Sequence, residues 1–140
     1  MFYCTNKTPN EFYHYTLKSN VNSIIEKMLL KSGDDGYLWG CLSLEDIIKQ
    51  FYNTILNPDY IRIDNTGMIE TIPSTNKDDY IILKVAPKYD CPQNWFKYDI
   101  GLPLNTPKSR KQKIIYNPYE LSIAYQGNLR IRIIDTFQIP

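Results

Sequence analysis

Two segments in the first half of the chain carry hydrophobic residues at helical spacing. The first begins after Ser19 and Asn20, either of which can cap a helix. Its apolar side chains recur every three or four residues, at Val21, Ile24, Ile25, Met28 and Leu29. Gly33 predicts the end of this helix. In the second, Ser43 and Asp46 have capping-box spacing, and Pro58 follows a predicted buried stripe of Leu44, Ile47, Ile48, Phe51 and Ile55.

The rest of the chain alternates apolar and polar residues and predicts strands. A short strand at 11–16 precedes the first helix, and residues 33–43 are typical of a turn that leads into a strand. Residues 60–72 and 120–133 predict two hairpins, with a central strand ending at Pro87 between them, while the proline-containing stretch 86–117 predicts a long loop. The order indicates one α+β domain over residues 1–140, in which two early helices pack on a mixed, mostly antiparallel split sheet of about six to seven strands.

Composition narrows the class of protein. Of 140 residues, 43% are hydrophobic and 22% are charged, which favours a globular chain over a disordered one. The net charge of +1 argues against tight nonspecific binding to nucleic acid, although the basic last third can steer an anionic ligand. No apolar run is long enough to span a membrane and the first residues lack signal-peptide character, so we expect a cytoplasmic protein that does not bind membranes.

The three cysteines, Cys4, Cys41 and Cys91, have no CxxC spacing. They predict reduced thiols rather than a disulfide framework or a structural zinc site, and no metal site is predicted. The chain has a single histidine, so any imidazole chemistry must use His14. In the predicted strand, Phe12, His14 and Thr16 share one face and Tyr13 and Tyr15 the other. A lone histidine in such a strand is more often structural than catalytic.

Three short blocks occur in a recognisable order. Phe12-Tyr13-His14-Tyr15-Thr16 leads into an amphipathic helix, GYLWGCLSLEDIIKQFY follows, and Asn117-Pro118-Tyr119-Glu120 enters a late alternating segment. This order resembles the ADP-ribosyltransferase fold, in the branch that uses a His-Tyr-Glu triad and includes poly-ADP-ribose polymerases and diphtheria-toxin-like enzymes. The eleven-residue step between two tyrosines that is common in this branch is similar to the step from Cys41 to Tyr52.

The resemblance implies that NAD is the substrate and that ADP-ribose passes to a macromolecular acceptor, a protein or a nucleic acid. It implies catalytic roles for Glu120, His14 and Tyr52, and NAD binding by His14, Tyr15, Thr16, Ser43 and Tyr52. The chemistry agrees, because the positive charge that develops on the ribose as nicotinamide leaves must meet a carboxylate. An aromatic face such as that of Tyr52 suits the planar nicotinamide ring. Pro118 stands where members of the arginine-specific branch have a target-recognition side chain.

Each of these residues also has a structural interpretation. Tyr52 lies beside the stripe of the second helix and can pack there, Ser43 can serve as a helix cap, and Glu120 can be an edge-strand charge. The basic cluster of Lys108, Arg110, Lys111 and Lys113 is more typical of a solvated loop than of a nucleic-acid site. Trp39 and Trp95 are expected in the core or in the wall of a cleft.

The first functional hypothesis is an NAD-dependent mono-ADP-ribosyltransferase, related to toxins or to phage and defence systems, with a possible neutralising partner protein. The alternatives are a non-catalytic module on the same fold that binds a nucleotide or a partner as an inhibitor, and an enzyme similar to RNA 2′-phosphotransferases. A thiol hydrolase built on Cys41 and His14 ranks last, because no orienting Asn or Asp can be assigned.

Overall fold

The computed structural model describes residues 2–56, 61–63, 69–71, 76–98 and 122–140. Over these residues the helices are Val21–Lys27 (α1) and Leu44–Phe51 (α2), and a π-helical turn, Tyr52–Leu56, continues α2. The strands are Phe2–Cys4 (β1), Phe12–Leu17 (β2), Leu29–Leu30 (β3), Tyr37–Gly40 (β4), Ile61–Ile63 (β5), Ile69–Thr71 (β6), Tyr80–Pro87 (β7), Trp95–Tyr98 (β8), Ile123–Gln126 (β9) and Leu129–Gln138 (β10). Neither described helix has the length and apolar character needed to cross a bilayer.

The strands form two four-stranded sheets and one separate pair. The first sheet has the order β1-β8-β9-β4, the second has the order β2-β7-β10-β3, and β5 pairs with β6 as the sequence predicted. All strand pairs in the described part of the chain are antiparallel. The α+β class is therefore confirmed, and the split sheets are antiparallel rather than mixed. They hold more strands than predicted, because β1, β3 and β8 are too short for their alternation to stand out.

The predicted C-terminal hairpin is wrong. β9 and β10 follow each other through a turn at Gly127, whose φ is +110°, but β9 pairs with β4 and β8 in the first sheet while β10 pairs with β7 and β3 in the second. A Gly-Asn turn between two alternating segments fixes the change of direction, but it does not decide whether the two strands share a sheet. The chain crosses here from one sheet to the other.

One hydrophobic core joins both sheets and α1. Phe12 and Leu83 from the second sheet, Leu38 and Trp95 from the first, and Ile24 from α1 all belong to it. The opposite side of the second sheet packs on α2 in a separate core that consists of Cys41, Ile47, Phe51, Ile82 and Ile139. Because β2 alternates, Phe12 points into the first core while Tyr13 and Tyr15 pack against the second. β2 thus lies between the two cores.

The first helix is shorter than predicted. α1 ends at Lys27, and Met28 adopts the left-handed conformation with φ 49° and ψ 45°. The chain then turns into β3, where Leu30 is buried and pairs with Leu129 of β10. Burial of Leu30 in the sheet is more favourable than continuation of the helix to Gly33. The spacing of apolar residues in the sequence could not predict this, because the partner of Leu30 lies far away in the chain.

The second helix follows its sequence pattern. The Ser43 hydroxyl accepts a hydrogen bond from the Asp46 amide at 3.1 Å, which satisfies one of the free amides of the first turn. Ile47 and Phe51 are buried, and the other members of the predicted stripe pack against the same core. The prediction that Ser43 caps this helix is confirmed.

Part of the predicted loop 86–117 is a strand. β8 lies inside it, and its Trp95 is 2% exposed and packs edge-on against Phe12 and Tyr125. Trp95 therefore belongs to the core, as expected of one of the two tryptophans. Its Nε1 is a buried donor without a hydrogen-bond partner in the described part of the chain. Residues 99–117 of the predicted loop lie outside the described residues.

Candidate functional site

The two sheets meet where β2 and β4 lie side by side, which we call the β2–β4 seam. The backbone amide of each of Tyr13 and Cys41 donates to the carbonyl of the other, at 2.8 and 2.9 Å. Gly40 allows this close approach, because a Cβ at that position would lie 2.6 Å from the Tyr13 carbonyl oxygen and 2.7 Å from Cδ2 of Phe12. Only glycine fits there without a shift of the neighbouring strand.

His14 sits on the seam and bonds across it. Its Nδ1 lies 2.7 Å from the backbone oxygen of Trp39 in β4. A carbonyl oxygen can only accept, so Nδ1 carries the proton and, in the neutral ring, Nε2 is left as an acceptor. Burial lowers the pKa of His14 below its usual 6.5, and the bond to Trp39 opposes this effect only in part. The imidazole is therefore neutral at physiological pH.

Two adjoining cavities open beside His14. The first His14 cavity, of about 230 Å³, lies between β2 and α1 and is lined also by Thr16 and Lys27. The second His14 cavity, of about 280 Å³, is lined also by Tyr15, Trp39 and Gln50. Lys31 lines both cavities, as His14 does. The histidine thus stands where the two cavities meet, with an acceptor nitrogen available.

The structure brings three of the sequence-predicted residues to these cavities. His14 and Thr16 share the first, and the Thr16 hydroxyl oxygen lies 3.4 Å from Asn20 Nδ2, which donates to it. Tyr15 lines the second with His14, and its hydroxyl lies 3.5 Å from that of Thr54. His14 and Thr16, two residues apart on β2, therefore line one cavity, and their role in NAD binding stays a prediction.

Ser43 and Tyr52 do not line either cavity among the described residues. Ser43 caps α2, as its bond to Asp46 shows. Tyr52 follows α2, is 37% exposed, packs edge-on against Phe51 and donates its hydroxyl to the backbone oxygen of Pro140. The packing interpretation of Tyr52 fits this position, and its proposed ring stacking stays a prediction.

Cys41 is completely buried in the core beside α2 and donates its thiol hydrogen to Oε1 of Gln50 at 2.9 Å. Burial, and next the charge of Asp46, raise the pKa of Cys41 to about 12, against a smaller opposing effect of a bond to Ser122. A thiol in this setting is not a nucleophile at neutral pH. The thiol-hydrolase hypothesis is wrong for this reason.

Glu120 lies outside the described residues, as does the basic cluster that begins at Lys108. The described chain resumes at Ser122, which is completely buried, and continues into β9 beside β4. The catalytic role of Glu120 therefore stays a prediction. Among the described residues, no aspartate or glutamate lines either His14 cavity, so no other acid takes the place of Glu120 there.

Sequence reasoning missed two residues at or beside the site, Asp35 and Gln50. Trp39 was expected in the core or in a cleft wall and lines the second His14 cavity, where its Nε1 donates to Oδ2 of Asp35 at 2.8 Å. Oδ1 of Asp35 accepts from the amide of Tyr37 at 2.9 Å, so the carboxylate holds the aromatic wall in place. Gln50 is 3% exposed on the buried side of α2. The sequence contains one indication of this burial, because Gln50 is a polar residue three positions after Ile47 and lies on an otherwise apolar stripe.

Other chemistry is not indicated at the described residues. No group of three or more His, Cys, Asp or Glu side chains in the described ranges is placed to hold a metal ion.

Comparison of the chain with protein-family models, with curated proteins and with solved structures found no match. The functional inference therefore depends on the residues around His14.

Proposed function

We propose that this chain is an NAD-dependent ADP-ribosyltransferase on an ADP-ribosyltransferase-like fold. The observation that carries the proposal is the neutral His14 ring at the meeting point of two cavities, whose Nδ1 is bonded to Trp39 and whose Nε2 forms no hydrogen bond with a described residue. A ribose hydroxyl is a donor of the kind that such a nitrogen binds. The His14–Thr16 motif, which resembles that of the family, occupies this place.

The site offers groups for the other parts of a dinucleotide. Lys27 and Lys31 line the first His14 cavity, and neither forms an ion pair with a described residue. Their charges favour a pyrophosphate. The aromatic residues Trp39 and Tyr15 in the lining of the second cavity favour a planar ring. Lys27 in the first cavity, aromatic rings in the second, and His14 and Lys31 in both suit a molecule that alternates rings, ribose and phosphate.

In the proposed reaction the bond between the nicotinamide nitrogen and C1′ of its ribose breaks, and the electron pair leaves with nicotinamide. His14 holds a ribose hydroxyl through Nε2, and Glu120 stabilises the positive charge that develops on the ribose. A nucleophile of the acceptor then forms the new bond to C1′ and loses its proton. The acceptor is a macromolecule, either protein or nucleic acid, and a partner that neutralises the activity belongs to the same proposal.

Release of nicotinamide from NAD tests this proposal directly. Glu120→Gln is expected to lower release by about 100-fold or more, because the amide does not offset the developing charge. Glu45→Gln is a matched control, since Glu45 is an exposed acid on α2 that pairs with Lys49. Full activity of Glu120→Gln would refute the catalytic assignment. Binding of NAD without nicotinamide release would favour the alternative, a nucleotide-binding module.

A second candidate, transfer of a 2′-phosphate from RNA to NAD, has one observation in its favour. This chemistry needs basic residues around a phosphate, and Lys27 and Lys31 stand beside His14. Incubation with NAD and an RNA that carries an internal 2′-phosphate decides between the two. Loss of the phosphate from the RNA supports the second candidate, and ADP-ribosylation of a macromolecule with the RNA phosphate retained supports the first.

A further inference from the structure

A third cavity, of about 510 Å³, lies apart from the two His14 cavities and shares no lining residue with them. Three lysines line it, Lys7, Lys84 and Lys97, and we call it the lysine cavity. Tyr13 lines the lysine cavity, whereas the next residue, His14, lines the other two. Nothing in the ADP-ribosyltransferase proposal uses this cavity.

The charge of the lysine cavity is positive. Glu11 is the only acidic residue among its described lining residues, and its Oε2 lies 3.4 Å from Nζ of Lys84. Lys84 also lies over the ring of Tyr13, at 5.8 Å from the centroid, so Glu11 and this aromatic face hold it in position. Lys7 and Lys97 form no ion pair with a described residue. Two lysine charges therefore remain for a ligand.

The lining of the cavity also includes apolar and aromatic residues. Leu42, Ile123 and Trp95 contribute to it, and Leu42 is 55% exposed. Trp95 carries the buried Nε1 donor that has no described partner. Hydroxyl and amide groups of Thr5 and Asn10 complete the lining. The volume lies within the range of about 300–1,000 Å³ that is typical of small-molecule sites, and it exceeds what a bare anion needs.

We propose that the lysine cavity is a second nucleotide site, which binds a 5′-phosphate between Lys7 and Lys97 and packs the attached nucleoside against the wall of Leu42 and Trp95. Ammonium groups bind phosphate as point charges, and apolar and aromatic lining residues suit a planar base. The source is either a free nucleotide or the 5′ end of a nucleic-acid strand, and both present the same group. The proposal is independent of NAD turnover at His14.

Fluorescence of Trp95 reports on this cavity. In a Trp39→Phe background Trp95 is the remaining tryptophan. Thymidine 5′-monophosphate, a 5′-phosphorylated pentathymidylate and the same oligonucleotide without the phosphate are titrated in turn. We expect a saturable change with the two phosphorylated probes and none with the third. Tighter binding of the phosphorylated oligonucleotide than of the mononucleotide assigns the strand end as the source, and equal or weaker binding assigns the free nucleotide.

Charge variants make the test specific. Lys7→Gln combined with Lys97→Gln is expected to weaken binding by about tenfold or more and to reduce its dependence on salt. Lys18→Gln combined with Lys88→Gln removes the same charge from exposed positions outside the cavity and leaves affinity unchanged. All four lysines are exposed, so these variants retain the fold. The Lys7/Lys97 double variant is expected to release nicotinamide from NAD at the same rate as the unaltered chain, which separates the lysine cavity from the NAD proposal.

Three results would overturn the proposal. The first is the absence of a Trp95 response to either phosphorylated probe at millimolar concentration. The second is equal affinity of the Lys7/Lys97 double variant and the unaltered chain. The third is competition by a glutamate-rich peptide that binds more tightly than the phosphorylated oligonucleotide, which would assign the cavity to an acidic protein segment instead.

Discussion

The imidazole of His14 donates from Nδ1 to the backbone oxygen of Trp39, at 2.7 Å, and thereby connects the edge strands of two different sheets. This bond fixes the tautomer and orientation of the ring. The candidate site is therefore part of the junction between the sheets, and substitution of His14 is expected to affect both the site and the stability of the fold.

Protonation of His14 is expected to destabilise the fold. Burial lowers its folded pKa below the unfolded value of about 6.5, so stability is full above pH 6.5 and falls as the pH decreases through the folded pKa. His14→Gln keeps a donor and removes the titration. Urea unfolding between about pH 5 and 7.5 is expected to show a steeper loss for the unaltered chain than for the variant. Parallel pH profiles would contradict the assignment.

Gly40→Ala is expected to destabilise the protein by about 1–3 kcal/mol, because the added methyl collides with Tyr13 and Phe12 at the β2–β4 seam. Gly33→Ala is the control, since its nearest neighbour would lie at 3.5 Å, an ordinary contact. Thermal unfolding of both variants measures the difference. Equal stability of the two would show that the seam accommodates a side chain.

Ser43→Ala is expected to cost about 1 kcal/mol of stability through loss of the α2 cap. Ser19→Ala removes an exposed hydroxyl outside α2 and serves as the control. Denaturant titration measures the loss of stability. Nicotinamide release per folded molecule measures whether Ser43 also has a role in NAD binding. A fall in specific activity beyond the loss of folded protein would mean that Ser43 also contacts NAD.

Met28→Gly is expected to stabilise the fold by about 0.5–1 kcal/mol. The residue has a left-handed backbone that an L side chain disfavours, and its side chain is 41% exposed, so little packing is lost. Met28→Ala removes the same side chain without relieving the backbone strain. Chemical unfolding measures the stability of both variants. An increase in the free energy of unfolding for Met28→Gly but not for Met28→Ala supports the prediction, and a decrease for both variants contradicts it.

The native thiols are expected to react with iodoacetamide in order of exposure. Cys4 is exposed and Cys91 is partly buried, whereas Cys41 is buried and its pKa is raised to about 12. Peptide mass spectrometry after alkylation at pH 7.5 is expected to find Cys4 modified first and Cys41 only after unfolding. Early modification of Cys41 would indicate that the core beside α2 opens in the native state.

Local patterns predicted the parts of the fold that local physics decides. Alternation identified β2 and the central β7, and capping with apolar spacing identified α2, because these signals lie within a few residues. The end of α1 and the sheet assignment of β10 depend on partners about a hundred residues away, such as Leu129 opposite Leu30. No local pattern carries that information.

The candidate site divides in the same way. His14 and Thr16 were predictable because their spacing on one strand is itself the signal. Lys31, Asp35 and Gln50 come to the site only through the packing of β2 against β4 and α2, and their sequence neighbourhoods resemble ordinary surface turns and a helix. The lysine cavity likewise collects Lys7, Lys84 and Lys97 from three separate regions of the chain.

The strand order has a consequence for biosynthesis. β2 pairs with β7, and β7 pairs with β10, Leu129–Gln138, which lies far along the chain from β2. Pairings so distant in sequence form slowly and late. A nascent chain from which β10 has not yet emerged therefore lacks the strand pairing that holds β2, and with it His14, in place.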